Sequence, residues 1–164
     1  MKVGILGRLR VTDDRGIEIP VAEGHRRAVL ACLAYRAGSS VSLQLLYGAV
    51  WGDDPPSHPE ASIKNHVSKL NRLLGPGTVE REGDGYVLRL DPADVDYVRF
   101  ERLAADSREA LRAGDWARCV ETGDEARGLV QGEPLQDLDY DALDRRIATA
   151  KVDRALQELS LIHI

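Results

Sequence analysis

The sequence predicts two parts of different fold class: an α+β part over residues 1–91 and an all-α part over residues 92–164. Three observations support this division. Alternation of apolar and polar residues, which is typical of strands, occurs only in the first part. After residue 92 the apolar residues recur at helical spacing alone. The charge also divides, because residues 1–90 carry 12 Lys and Arg against 10 Asp and Glu, whereas residues 91–164 carry 10 against 17.

The composition excludes several classes of protein. With 43% apolar and 30% charged residues, the chain has the make-up of a globular protein. No apolar run approaches the roughly 18 residues of a membrane span, and residues 1–10 lack the apolar core of a secretory signal. The two cysteines, Cys32 and Cys119, are far apart, and no Cys or His residues have the spacing of zinc ligands. We therefore expect a cytoplasmic protein without a disulfide framework, metal or other cofactor.

The first part begins with a predicted β-meander and continues with three helices and a hairpin. Alternating residues around the turn Asp13–Gly16 predict the meander, and Ser42 is a suitable N-cap for the second helix. Gly and Pro clusters end the second and third helices. The predicted segments are strands near 3–6, 9–12 and 17–21, helices over 24–37, 43–51 and 59–74, and hairpin strands over 78–81 and 86–90.

The third predicted helix has two distinct faces. Ile63, Val67, Leu70 and Leu74 form one apolar stripe that we expect to be buried. No acidic residue occurs between Ala61 and Val79. The opposite face and its flanks carry only neutral polar and basic side chains: Lys64, Asn65, His66, Ser68, Lys69, Asn71 and Arg72.

This order of elements predicts DNA binding. A short helix, a loop and a longer helix can place the longer helix in the major groove, where Asn and Ser hydrogen-bond base edges and Lys and Arg bind guanine or phosphate. The following hairpin can act as a wing that contacts the DNA backbone. The candidate DNA contacts are Lys64, Asn65, His66, Ser68, Lys69 and Arg72 of the helix, Arg81 and Arg89 of the hairpin, and Arg26 and Arg27 at the start of the first helix. The alternative is a solvated helix face with no partner.

The second part predicts three amphipathic helices, near 97–111, 116–130 and 141–164, which resemble helical-repeat (TPR-like) units. We expect Trp116 and Cys119 to pack between helices. The acidic balance favours a protein-binding surface, so a protein-interaction module without DNA binding of its own is the alternative function. No Ser/His/Asp or Cys/His set points to catalysis, and we expect no enzymatic activity.

Several motifs resemble a known family. The segments 46–52, 65–75 and 85–88 are similar to an OmpR/PhoB-type winged helix. Together with Ile5-Leu6-Gly7, residues 26–31, residues 94–103 and Gly132-Glu133-Pro134-Leu135, they resemble the Streptomyces antibiotic regulatory protein (SARP) family, in which a bacterial transcriptional activation domain follows the winged helix.

This resemblance implies a transcriptional activator that binds direct repeats in promoter DNA, where it can form a homodimer, and that contacts the sigma or alpha subunit of RNA polymerase. The genes implied are those of a secondary-metabolite cluster. Asn65, Ser68, Lys69 and Arg72 would contact DNA from the recognition helix, and residues 81–89 would form the wing. The chain departs from the family at acidic Glu82 and Asp84, which would weaken a wing contact. The family's activation domain is usually about twice as long as residues 93–164, so we expect the chain to stop short of a full domain, at the apolar segment 159–164.

Overall fold

The computed structural model describes residues 1–22, 24–138 and 143–161. Within them the chain is α+β, with two small antiparallel sheets and six α-helices. The elements are β1 (Lys2–Gly4), β2 (Arg10–Thr12), α1 (His25–Tyr35), β3 (Val41–Ser42), α2 (Leu43–Trp51), α3 (Pro59–Leu74), β4 (Val79–Glu82), β5 (Gly85–Leu88), α4 (Asp96–Ala113), α5 (Trp116–Leu129) and α6 (Leu143–Leu161). The predicted extension of the last helix over 141–142 and 162–164 lies outside the described residues, as do the side chains of Leu143 and Ile147.

The predicted meander is only partly formed. Strands β1 and β2 pair with Val3 opposite Val11. The predicted third strand at 17–21 makes a single bridge between Thr12 and Glu18. Its two backbone bonds run from Ile19 N–H to Val11 O at 2.8 Å and from Asp13 N–H to Ile17 O at 2.9 Å. No further bridge of residues 17–21 is present among the described residues, and Ile17 is 56% exposed, so the alternating pattern does not make a strand here.

The three helices of the first part match their predicted positions. Helix α1 is two residues shorter at its C-terminus and one at its N-terminus, and it buries every residue from Ala28 to Ala34. It packs against both α2 and α3. The bounds of α2 and α3 are as predicted, and the Ser42 hydroxyl accepts the Leu45 N–H as an N-cap.

The second sheet contains a strand that the sequence did not predict. Its order is β3-β5-β4, with Val41 opposite Tyr86 and Ser42 opposite Gly85. A Cβ on Gly85 would lie 1.9 Å from the carbonyl oxygen of Val41, so only glycine permits this close approach. The pairing attaches the hairpin β4–β5 to the start of α2, because Leu43 N–H also donates to Asp84 O.

In the second part, α4 and α5 pack as a helical pair around the turn Gly114-Asp115. The Ser107 hydroxyl donates to Cys119 O at 2.9 Å, and both residues are fully buried, which confirms the prediction for Cys119. The prediction for Trp116 was wrong, because its side chain is 63% exposed. Trp116 is the first residue of α5, at the turn where α4 ends, and no described element covers it.

The two parts are joined by the segment Ile5–Leu9, which runs between them and is buried except at Arg8. The Asp96 carboxylate accepts the N–H groups of Ile5 and Leu6 at 2.7 and 3.0 Å. The loop after α5 adds three backbone bonds, from Gln131 N–H to Leu6 O, from Leu135 N–H to Ile5 O and from Gln136 N–H to Gly7 O. The apolar core is accordingly one cluster that includes residues from both parts. No helix in the described residues is long and apolar enough to cross a membrane.

Candidate nucleic-acid interface

Helix α3 presents the polar face that its sequence predicts. Ile63, Val67 and Leu70 point into the core, and Leu74 is half-buried. On the other side Lys64, Asn65, Ser68 and Arg72 are exposed, and Lys69 is half-buried. None of the described hydrogen bonds and ion pairs involves the side chains of these five polar residues. The structure therefore brings them together as one solvent-facing row of hydrogen-bond donors and acceptors, called here the α3 polar face.

His66 lies at the edge of this face and packs inward. Its ring meets the ring of His25 edge to face, with centroids 6.0 Å apart, and His25 in turn meets Trp51 of α2. The Nδ1 atom of His66 is buried without a hydrogen-bond partner among the described residues. Burial lowers the pKa of His66, and nearby His25, Lys69 and Arg26 lower it further. At neutral pH this ring is uncharged and supports α3 against α1 and α2.

The two arginines at the start of α1 have different environments. Arg26 is half-buried beside this histidine cluster. Arg27 is enclosed: its side chain is 14% exposed, it forms an ion pair with Asp137, and it donates to the carbonyls of Val21 and Leu9. This environment argues against Arg27 as a DNA contact, because its guanidinium already holds three partners inside the protein. No pattern in the sequence identifies Asp137 as the partner of Arg27.

Asn71 connects α3 to the hairpin. Its side-chain amide donates to Val79 O and its carbonyl oxygen accepts the Val79 N–H, both at 2.8 Å. These two bonds satisfy both backbone polar groups of Val79, the first residue of β4, which is 2% exposed. Asn71 thus sets the position of the hairpin relative to α3. The sequence identified Asn71 only as a polar residue that flanks the polar side of this helix.

Both hairpin arginines are paired with carboxylates. Arg81 donates to Glu60 of α3 at 2.9 Å and lies over the Tyr86 ring at 5.4 Å. Arg89 donates to Glu80 and to Glu82, each at 2.9 Å. These hydrogen bonds raise the pKa of both arginines above its ordinary value, so both side chains stay charged. Neither arginine offers a free positive charge in this structure.

The arrangement suits recognition of an extended anionic polymer rather than a small ligand. The α3 polar face is the convex surface of a helix. It combines the positive charges of Lys and Arg with amide and hydroxyl groups that can form hydrogen bonds. Among the described residues no three His, Cys, Asp or Glu side chains are placed to hold a metal ion.

The comparisons with known proteins agree with one another. Residues 95–161 match the family model described as the bacterial transcriptional activator domain. The regulatory protein AfsR of Streptomyces coelicolor is 32% identical over 136 residues, which cover 82% of this chain and 14% of AfsR. The regulatory protein DnrI of Streptomyces peucetius is 26% identical over 84% of this chain and 54% of its own length. The chain belongs to the SARP family of transcriptional regulators.

A solved structure extends the similarity to the whole fold. The chain superimposes on Mycobacterium tuberculosis EmbR, solved in complex with a low affinity phosphopeptide, with a TM-score of 0.82 and 28% identity. The match covers 99% of this SARP-family chain and 43% of the EmbR chain. The α+β architecture with small sheets and six helices is thereby confirmed. The chain spans 14% of the length of AfsR and 54% of the length of DnrI.

Proposed function

We propose that this chain is a sequence-specific DNA-binding transcriptional activator whose first part is a winged helix. The observation that carries the proposal is the α3 polar face, which contains three basic residues, no acidic residue and no described side-chain partner. Helix α3 would be the recognition helix in the major groove, with Asn65 and Ser68 on base edges and Lys64, Lys69 and Arg72 on guanine or phosphate. The hairpin β4–β5 would be the wing.

The remaining candidates have supporting roles in this proposal. Arg26 would contact a backbone phosphate from the start of α1, while His66 would hold α3 in place, with at most its outer edge near DNA. Arg81 and Arg89 would reach phosphates only by exchanging their carboxylate partners for DNA. Arg27 is left out, since it is paired with Asp137.

The second part would provide the activating contact. It is acidic, and it exposes Leu111, Trp116 and Val120 where α4 and α5 meet. Apolar side chains grouped on a polar surface favour a protein partner. On the family's description, we propose the sigma or alpha subunit of RNA polymerase as that partner, homodimers side by side on promoter direct repeats, and a secondary-metabolite gene cluster as the target. The TPR-like character of the α4–α5 pair belongs to this proposal.

The test is fluorescence anisotropy of labelled duplexes with the full chain. A promoter-derived direct-repeat duplex and a scrambled duplex would be compared at about 50 and 200 mM salt, a range over which several phosphate contacts change affinity strongly. We expect tighter binding to the repeat, and a fall in affinity as salt rises. Lys69→Ala/Arg72→Ala should weaken binding to both duplexes, whereas Asn65→Ala should reduce the preference for the repeat.

The matched control is Arg112→Ala/Arg118→Ala, which removes the same charge from exposed positions of α4 and α5. This control should bind DNA as the unaltered chain does. An equal loss in both double variants would mean that net charge, not the α3 polar face, governs binding. If the chain bound no duplex at 50 mM salt, the protein-interaction module would become the better assignment.

A further inference from the structure

The hairpin β4–β5 carries less available positive charge than its arginines suggest. From Val79 to Arg89 it contains three carboxylates, at positions 80, 82 and 84, against two arginines. Beyond Glu60 in its first turn, helix α3 and the turn after it contain, from Ala61 to Thr78, three Lys and Arg residues and no carboxylate. Two adjacent elements of the same proposed interface therefore have opposite charge balance.

The ion pairs place a carboxylate against each arginine on both faces of the hairpin. Successive residues of a strand point to opposite faces, so Glu80 and Glu82 share one face of β4 and Arg81 lies on the other. Arg89 reaches across to the two glutamates, while Arg81 is held by Glu60 from the first turn of α3. The turn between the strands adds the exposed Asp84, which has no described basic side-chain partner.

We propose that Glu60, Glu80 and Glu82 are specificity-determining residues, which hold Arg81 and Arg89 away from the DNA backbone. Contacts to phosphate carry no sequence information and contribute most of non-specific affinity. A hairpin whose arginines are occupied contributes little of that affinity. A larger share of binding then depends on the bases that α3 reads. This inference rests on the proposed function, because it concerns the same interface.

The pairs are exposed enough to be removed without unfolding the protein. Both side chains of each pair have between 44% and 59% exposure. Exposed ion pairs contribute little to stability, so Glu→Gln variants should melt close to the unaltered chain. Each variant's melting temperature would be measured first.

The experiment uses the full chain and a labelled duplex of arbitrary sequence at low salt. Glu80→Gln/Glu82→Gln should tighten binding about two- to fivefold, the size of one exposed charge contact. The plot of log affinity against log salt should steepen by about 0.9, as one more phosphate is neutralised. Glu60→Gln should act in the same direction through Arg81. The control Glu109→Gln/Glu121→Gln changes net charge equally at exposed positions of α4 and α5, and should leave affinity unchanged.

The same double variant in an Arg89→Ala background shows whether Arg89 is released. We expect the gain in affinity to disappear there, because no arginine remains to bind phosphate. A gain that persisted would mean simple repulsion by the carboxylates and would overturn the proposal. The proposal would also be overturned if Glu80→Gln/Glu82→Gln left the affinity for DNA unchanged. If Lys69→Ala/Arg72→Ala weakened DNA binding in the same assay, the proposed function would still stand. Failure of every protein to bind would reject both.

Discussion

At the scale of single residues, two asparagines on α3 have opposite roles. Asn71 satisfies both backbone groups of Val79, whereas Asn65 is exposed and has no described partner. Asn71→Ala should lower the free energy of unfolding by about 1–3 kcal/mol, because it leaves a buried N–H and C=O unpaired. Asn65→Ala should change it by less than about 0.5 kcal/mol. Urea unfolding of both variants measures the difference, and equal stability would contradict the structural role of Asn71.

His66 gives the protein a pH dependence with a defined sign. Burial is the main cause that lowers its pKa below the ordinary 6.5, and His25, Lys69 and Arg26 add to it. The unfolded chain then binds a proton more readily than the folded chain, so stability should fall as pH drops below about 6.5. In His66→Gln the fall should be shallower. Urea midpoints at about pH 7.5, 6.5 and 5.5 measure both proteins; parallel profiles would remove His66 as the cause.

At the scale of elements, two glycines should respond oppositely to alanine. Gly85 of β5 lies against the backbone of β3, and an added Cβ would meet Val41 O at 1.9 Å. Gly85→Ala should therefore separate these strands and destabilise the fold by about 1–3 kcal/mol. Gly48 in α2 has no atom within 4 Å of its added Cβ. Gly48→Ala should stabilise by up to about 1 kcal/mol, because alanine favours a helix. Thermal melts of the two variants should shift in opposite directions.

Local signals explain which elements could be predicted. The bounds of α2 and α3 were predicted because Ser42, Gly52 and Pro59 act on adjacent backbone. Strand β3 was missed because two residues become a strand only through pairing with β5. The prediction of a third meander strand was wrong for the reverse reason. The local alternation of residues 17–21 is present, but these residues pair with β2 through only one described bridge.

The same distinction between local and long-range signals applies to the candidate site. The α3 polar face could be predicted because it depends on the spacing of residues within one helix. The partners of the arginines could not be. Arg27 and Asp137 are 110 residues apart in the chain, and no local pattern joins them. The pairing of Arg81 with Glu60 likewise depends on the angle between the hairpin and α3, which the contact of Asn71 with Val79 sets.

At the scale of the whole molecule, the two parts should unfold together. The segment Ile5–Leu9 hydrogen-bonds to Asp96 and Asp137 of the second part, and Ile5 and Leu6 are fully buried there. A chain with one shared core unfolds in a single transition. In Trp116→Phe, which alters an exposed side chain, fluorescence reports on Trp51 of the first part alone. Its urea midpoint should coincide with that of helical circular dichroism; an earlier midpoint would contradict a shared core.

Removing the ion pair between the parts should preserve this single transition at lower stability. Asp137→Ala would leave the Arg27 charge with only carbonyl partners, at 14% exposure, and remove the acceptor of Leu9 N–H. We expect a loss of about 3 kcal/mol, with the fluorescence and dichroism midpoints shifted equally. The control Glu125→Ala removes the exposed pair with Arg99 and should cost less than about 1 kcal/mol. If only the Trp51 signal shifted in Asp137→Ala, the parts would be separate folding units, and the pair would stabilise the proposed DNA-binding part alone.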